Sequence, residues 1–188
     1  MDKKIDLRII KTYNKLTDAF GKMMNEISFD EITVFDLCER AKVRRATFYK
    51  HFNDKYDFFR NIVMIVATNI DNKVAECNKQ AKIIDYIISF VREIIVYFDL
   101  RHKILNNMLN SSAFPIIFDI ISSCTHESLK RHLIESEKEG VLLATDADSL
   151  ASFVNGGIAT LLLFWLKFRH ISESELLSKI EAILKKVF

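Results

Sequence analysis

Between Arg40 and Lys55 the chain places six basic side chains, Arg40, Lys42, Arg44, Arg45, Lys50 and Lys55, against a single interrupting acid, Asp54, a local charge of +5. Thr47 and Tyr49 add hydroxyls, and Ala46 adds a small side chain where a helix can approach a partner closely. This set suits hydrogen bonding to anionic oxygens and base edges: Arg and Lys to guanine or phosphate, hydroxyls to phosphate. The whole chain carries only +2 over 188 residues, so the distribution of charge and not its total holds the signal. The same pattern also fits a solvated basic helix pair in any helical protein.

Other chemistries find less support. His126-Glu127 opens like a zinc-protease helix, but position 130 is Lys and the next histidine is His132, so the i, i+4 ligand pair is missing. The sequence has no Glu-x-x-His pair, no glycine-rich phosphate loop and no Gly-x-Ser-x-Gly elbow. The expectation is a non-enzyme with no cofactor and no metal. Cys38, Cys77 and Cys124 are odd in number and widely spaced, which predicts reduced, buried thiols.

The elements that must position the basic patch are helical. One Pro and four Gly leave little turn chemistry for strands, and 49% of residues are hydrophobic. Ile9, Ile10, Tyr13, Leu16, Phe20, Met23 and Met24 recur at threes and fours, predicting an amphipathic helix from Ile5 to Glu26. Thr33-Val34-Phe35-Asp36 fits a capping box opening a short helix to about Ala41. A second short helix follows over Arg45–His51, and Asn53 is placed to cap a long fourth helix from Asp54. Further helices are predicted near 82–99, 101–109, 115–139, 146–168 and 174–187. Pro115 suits a first turn, Gly140 a C-terminal cap, and 145–148 and 172–175 repeat the capping pattern.

Val34, Leu37, Cys38 and Ala41 form one short apolar stripe, and Phe48 and Phe52 another, so the two short helices can pack as a helix-turn-helix over residues 33–52. With the phenylalanines inward, Ala46, Thr47, Tyr49 and Lys50 face out. The ordered string Ile32-Thr33-Val34, Ala41-Lys42-Val43 and Thr47-Phe48-Tyr49-Lys50-His51-Phe52-Asn53-Asp54-Lys55 resembles the DNA-binding motif of the tetracycline-repressor family. That resemblance implies an all-α fold. An N-terminal three-helix DNA-binding domain (1–53) would be joined by a long helix to a C-terminal ligand-binding and dimerisation domain (54–188). It implies base or backbone contacts by Arg44, Arg45, Ala46, Thr47, Tyr49, Lys50 and His51, and phosphate contacts by Thr33 and Lys55. Lys42 stands where the family usually has Gly, and Arg44 where it has a small polar residue. A left-handed Lys42 would cost about 1–2 kcal/mol.

Phe153-Val154-Asn155-Gly156-Gly157-Ile158, with Phe164-Trp165-Leu166 and Ser172-Glu173-Ser174-Glu175-Leu176, is similar to the C-terminal domain of dihydroxyacetone-kinase-operon regulators. Gly156-Gly157 lowers helix propensity by about 2 kcal/mol, predicting a compensating close helix approach. The run through Trp165 is apolar on nearly every side, which predicts pairing of the last two helices with a second subunit; a wholly buried central helix is the alternative. Met64, Phe90, Tyr97, Phe98, Met108 and Phe118 could wall an effector pocket, with Arg92, His102, Asn106 and Ser123 as polar candidates.

The expected partners are operator DNA, a second copy and a small-molecule effector of unspecified identity, with no membrane. The function implied is a repressor on a palindromic operator, released by the effector. A helical coactivator or small-molecule-binding protein with a repurposed helix-turn-helix is the alternative. Met1-Asp2-Lys3-Lys4 leads into an amphipathic segment and the longest apolar run is Ile158–Leu166, so a cytoplasmic protein without a leader or a spanning helix is expected.

Overall fold

The computed structural model describes residues 7–77 and 82–188, and all regular structure among them is helical. In chain order the helices are α1 (Leu7–Glu26), α2 (Val34–Ala41), α3 (Arg45–Tyr49), α4 (Lys55–Cys77), α5 (Ile83–Asp99), α6 (His102–Leu109), α7 (Phe114–Lys138), α8 (Ala147–Phe168) and α9 (Glu173–Val187). The start expected for α1 at Ile5, the expectation for Met1–Lys4 and the thiol of Cys77 lie outside the described residues.

Local chemistry sets the ends of the helices. The Thr33 hydroxyl accepts from the Asp36 amide at 3.1 Å and donates to the Asp36 carboxylate at 2.6 Å, so the cap forms with the acid turned to the hydroxyl. Asp54, not Asn53, caps α4: its carboxylate accepts from Tyr56 and Asp57 amides at 2.8 Å, while Asp57 accepts from the Asn53 amide at 2.9 Å. Asp146 caps α8 through the Ser149 amide, one residue after the expected Thr145, and Ser172 caps α9 through Glu175. Pro115 lies in the first turn of α7, and Gly140, at φ 95°, ends it with the Val141 amide on the Ser136 carbonyl.

The chain divides into two compact units: Met1–Ile62 with Phe98–Phe118, and Val63–Tyr97 with Asp119–Phe188. Packing thus cuts the chain differently from the functional cut expected between residues 53 and 54.

The first unit is built on phenylalanine. Phe20, Phe29, Phe48, Phe52, Phe58 and Phe59 are all buried, with neighbouring ring centroids 4.9–6.1 Å apart. Tilted and edge-on ring pairs of this kind add to what burial alone contributes. Leu16, Met23 and Met24 of α1 and Leu37, Cys38 and Ala41 of α2 complete the core. Helix α6 joins this unit. The Asn107 amide donates to the Met24 carbonyl at 2.8 Å, and Ser111 donates to Asp30, whose carboxyl is held below its ordinary value chiefly by that bond.

In the second unit Ile87, Val91, Ile95, Leu133, Leu150, Ala151, Val154, Trp165, Leu176, Ile180 and Leu184 form the core. Asn155 ties α8 to α7, accepting from Thr125 at 2.8 Å and donating to the Ser122 carbonyl and hydroxyl at 3.1 Å. A buried polar clamp joins α4, α5 and α7: Asp71 accepts from Tyr86 at 2.5 Å, Ser128 at 2.6 Å and Arg131 at 2.8 Å. The His132 ring lies on Tyr86 with centroids 3.9 Å apart, its Nε2 3.7 Å from Asp71. Trp165 donates to the Ile171 carbonyl at 2.9 Å, and the Arg169 guanidinium lies 3.8 Å from its ring centre.

Helix α8 presents two apolar sides. Ala147, Leu150, Ala151, Val154, Leu162 and Trp165 face the core, whereas Phe153, Leu161, Phe164 and Phe168 are exposed. By length and composition this 22-residue helix, which holds an 18-residue window of mean hydropathy 1.6, would suffice to cross a membrane, more than the run Ile158–Leu166 indicated. A Cβ added at Gly156 or Gly157 would meet nothing within 4 Å, so the close approach expected there is not made within the chain. Neither a wholly buried central helix nor an intramolecular glycine contact describes α8.

Candidate nucleic-acid interface

The turn between α2 and α3 has the geometry of a helix-turn-helix. Lys42 adopts the left-handed conformation, φ 54° and ψ 46°, and the Val43 amide returns to the Cys38 carbonyl at 3.0 Å. Glycine enters this region without a Cβ penalty. Lys42→Gly is expected to raise the unfolding free energy by about 1 kcal/mol, read by urea denaturation, because the relieved strain exceeds the added freedom of the unfolded chain. Arg44, extended at φ −66° and ψ 137°, then opens α3, whose Thr47 amide bonds to the Arg44 carbonyl at 2.8 Å.

Behind α3, Phe48 and Phe52 are buried to 0% and 4% exposure, which fixes the opposite side outward. Arg44, Arg45, Ala46, Tyr49 and Lys50 are exposed there, and Thr47 is half-buried. Tyr49 stands edge-on to Phe48 with centroids 5.5 Å apart, so a ring contact from below orients its exposed hydroxyl arm. His51 is half-buried, its ring 5.7 Å from that of Tyr13 of α1.

The six basic residues of the cluster meet different fates. Arg40 makes a two-pronged pair with Glu26, both bonds 2.6 Å, and the pair holds the Glu26 carboxyl below and the Arg40 guanidinium above their ordinary values. Lys55 donates to the carbonyls of Phe29, Asp30 and Ile32 at 3.0, 3.0 and 2.8 Å, while burial pulls its ammonium below the ordinary lysine value. An ammonium has three donors, and all are engaged, so the phosphate contact expected of Lys55 finds no unused donor. Thr33 likewise gives its hydroxyl to the cap of α2. Arg40 is exposed but neutralised by Glu26, and Lys42, Arg44, Arg45 and Lys50 are the other exposed cations of the cluster. Charge counting along the sequence could not separate the two groups, because the partners of Arg40 and Lys55 lie 14 to 26 residues away.

The residues named for an effector pocket divide between the units: Phe98, Met108 and Phe118 belong to the first, Met64, Phe90 and Tyr97 to the second. Phe90 and Met108 are buried and Met64 is exposed; Ser123 donates to the Asp119 carbonyl of its own helix at 2.7 Å, and Arg92, His102 and Asn106 are exposed. The polar clamp of Asp71, Tyr86, Ser128, Arg131 and His132 had no signal in the sequence. Among the described residues no three His, Cys, Asp or Glu side chains are grouped to hold a metal. Cys38 and Cys124 form no disulfide among the described residues. Cys38 is buried, with burial pushing its thiol above the ordinary value, whereas Cys124 is only half-buried, short of the expectation for it.

Residues 16–62 match the family described as bacterial regulatory proteins, tetR family. A 63-residue stretch is 32% identical to the HTH-type transcriptional regulator YxbF of Bacillus subtilis (strain 168), covering 33% of this chain and 17% of that protein. A TetR-family transcriptional regulator from Syntrophomonas wolfei superposes with a TM-score of 0.67 at 18% identity, over 94% of each chain. The fatty acid degradation regulator FadR of Bacillus halodurans gives 0.63 at 17% identity, over 92% of this chain and 97% of that one. FadR of Thermus thermophilus, solved with lauroyl-CoA, gives 0.63 at 15% identity over 92% of each chain. Residues 16–62, with their helix-turn-helix geometry, are therefore similar to the bacterial regulatory proteins of the tetR family, in a chain whose all-α fold is shared with TetR-family transcriptional regulators.

Proposed function

We propose that this chain is a cytoplasmic transcriptional repressor that binds a palindromic operator as a homodimer and is released by a small-molecule effector. The observation that carries this reading is the outward face of α3 and its caps: Arg45 and Tyr49 exposed on the five-residue helix, with Arg44 and Lys50 exposed at its two ends, all fixed from behind by buried Phe48 and Phe52. Such a helix presents guanidinium, ammonium and hydroxyl donors to a major groove while the first helix of the motif crosses the backbone. Ala46 allows close approach, Thr47 and His51 flank the contact, and Thr33 offers the N-terminus of α2 to a phosphate. Lys55 anchors the loop before α2 from within.

Residues 1–53 serve as the DNA-binding part, and residues 54–188 as the effector-binding and dimerisation part. The exposed apolar side of α8 supports the second copy as partner. Placement within the dihydroxyacetone-kinase-operon subgroup rests on the fragments 153–158, 164–166 and 172–176. Helix α4 opens the second part directly after the DNA-binding residues, and an effector that favours another tilt of it would change the spacing of two recognition helices, which must match half-sites about 34–36 Å apart. Such an effector must bind the released conformation more tightly than the operator-bound one.

The test is binding to duplexes selected by the protein from a random-sequence DNA library. Affinity is expected to fall steeply as salt rises from 50 to 200 mM, and Lys50→Ala is expected to weaken binding about 5- to 100-fold. A protein that selects no sequence and shows no salt-dependent shift would instead be the coactivator of the alternative reading.

A further inference from the structure

Helix α2 buries Leu37, Cys38 and Ala41, and this leaves Phe35 outside the core, 53% exposed. An aromatic ring set at the surface beside a recognition helix contributes little to the stability of the fold. Its ring lies under the guanidinium of Arg45, the first residue of α3, whose central carbon is 5.4 Å from the ring centre. Within the same cluster Arg40 gives its guanidinium edge to Glu26, and Lys55 gives its ammonium to three carbonyls. A carboxylate or carbonyl consumes donors; the face of a ring attracts the cation and consumes none, leaving the in-plane N–H groups for another acceptor.

We infer that Phe35 is a positioning residue for operator recognition, a platform that holds the Arg45 guanidinium in place with its donor edge outward for a guanine or a phosphate. This rests on the DNA-binding reading above and adds to it a residue whose work is done through Arg45. The platform restricts a side chain with many rotamers before DNA arrives, so less freedom is lost on binding.

The test compares wild type, Phe35→Leu, Phe35→Trp, Arg45→Ala and the Phe35→Leu/Arg45→Ala double variant on one duplex selected by the wild type from a random-sequence library. Phe35→Leu, which keeps apolar bulk and removes the ring, is expected to weaken binding about 2- to 5-fold with no change in melting temperature. Phe35→Trp is expected to restore it. In the Arg45→Ala background Phe35→Leu is expected to change nothing further. In the protein without DNA, the Arg45 Nε–H resonance is expected to move in Phe35→Leu as the ring is lost. Additive losses, wild-type affinity in Phe35→Leu, or an unmoved Arg45 resonance would overturn the inference. An Arg45→Ala variant that binds as wild type, with the resonance shift intact, would overturn it by removing Arg45 from the DNA contact, and failure to select any duplex would overturn the DNA-binding reading itself.

Discussion

Asp71→Ala is expected to lower the unfolding free energy of the second unit by about 3 kcal/mol, because it leaves buried donors without an acceptor. Asp71 is 7% exposed and receives the hydroxyls of Tyr86 and Ser128 and the guanidinium of Arg131. The Arg131 side chain is 58% exposed, so water replaces its bond readily and most of the loss falls on the two hydroxyls. Tyr86→Phe removes one donor while leaving the carboxylate served by the others, and is expected to cost about 1 kcal/mol.

The effect has a pH signature. Burial pushes the Asp71 carboxyl up, but His132, Ser128 and Tyr86 together bring it below the ordinary value, while burial and Asp71 push Tyr86 up. A carboxyl depressed on folding contributes stability above its unfolded value, about 3.9, and loses it as the pH falls through the folded value. The stability gap between wild type and Asp71→Ala should therefore be full at pH 7 and shrink below about pH 4. A urea series at pH 7 and below that limit checks both statements; a gap that is small at pH 7, or that widens in acid, would contradict them.

Phe164→Glu is expected to convert a dimer into a monomer at micromolar concentration. On the open side of α8, Phe153, Leu161, Phe164 and Phe168 are 69%, 40%, 55% and 64% exposed, and Gly156 and Gly157 lie on the same side with nothing above them. Spacings of three and four residues make these one stripe, and Ile183 of α9 adds another exposed apolar side chain. Against a second α8, two glycines allow close backbone approach and the rings supply buried area. A carboxylate in the middle of that stripe loses the ring contact and must be desolvated, together worth at least about 3 kcal/mol, or roughly 100-fold in dissociation constant. Sedimentation equilibrium at several concentrations distinguishes the outcomes. A wild type that is monomeric at micromolar concentration would remove the dimer from the proposal. With Phe164 already exposed, the variant should keep the wild-type helicity.

Features set by neighbours in sequence were legible there. The α-period and the caps at Thr33 and Ser172 located the helices, and the lysine at the position usually held by glycine marked the turn where the left-handed residue is found. The caps at Asn53 and Thr145 were displaced by one residue because Asp54 and Asp146, next to them, accept amide hydrogens equally well. Features set by distant partners were not legible. Glu26 neutralises Arg40 and three carbonyls hold Lys55, so the +5 cluster overstated the exposed charge. Helix α6 reaches α1 through Asn107 and Met24, 83 positions apart, and Asp71 meets Ser128 across 57; neither separation leaves a periodic trace. Of the recognition face, the outward direction followed from Phe48 and Phe52, while the ring beneath Arg45 belongs to another helix and needed the fold to be seen.

The placement of the aromatic residues makes the two units optically distinct. Trp165, the sequence's one indole, sits in the second unit with its N–H on the Ile171 carbonyl and Arg169 over its face, while the first unit's core is made of phenylalanine. Light at 295 nm excites indole and passes through phenylalanine, so the emission reports the second unit alone. Tyr13 and Tyr49 lie beside the helix-turn-helix phenylalanines. The chain thus carries an internal dye on the half proposed to bind the effector, and a ligand titration can be followed there while DNA is read separately through a labelled duplex.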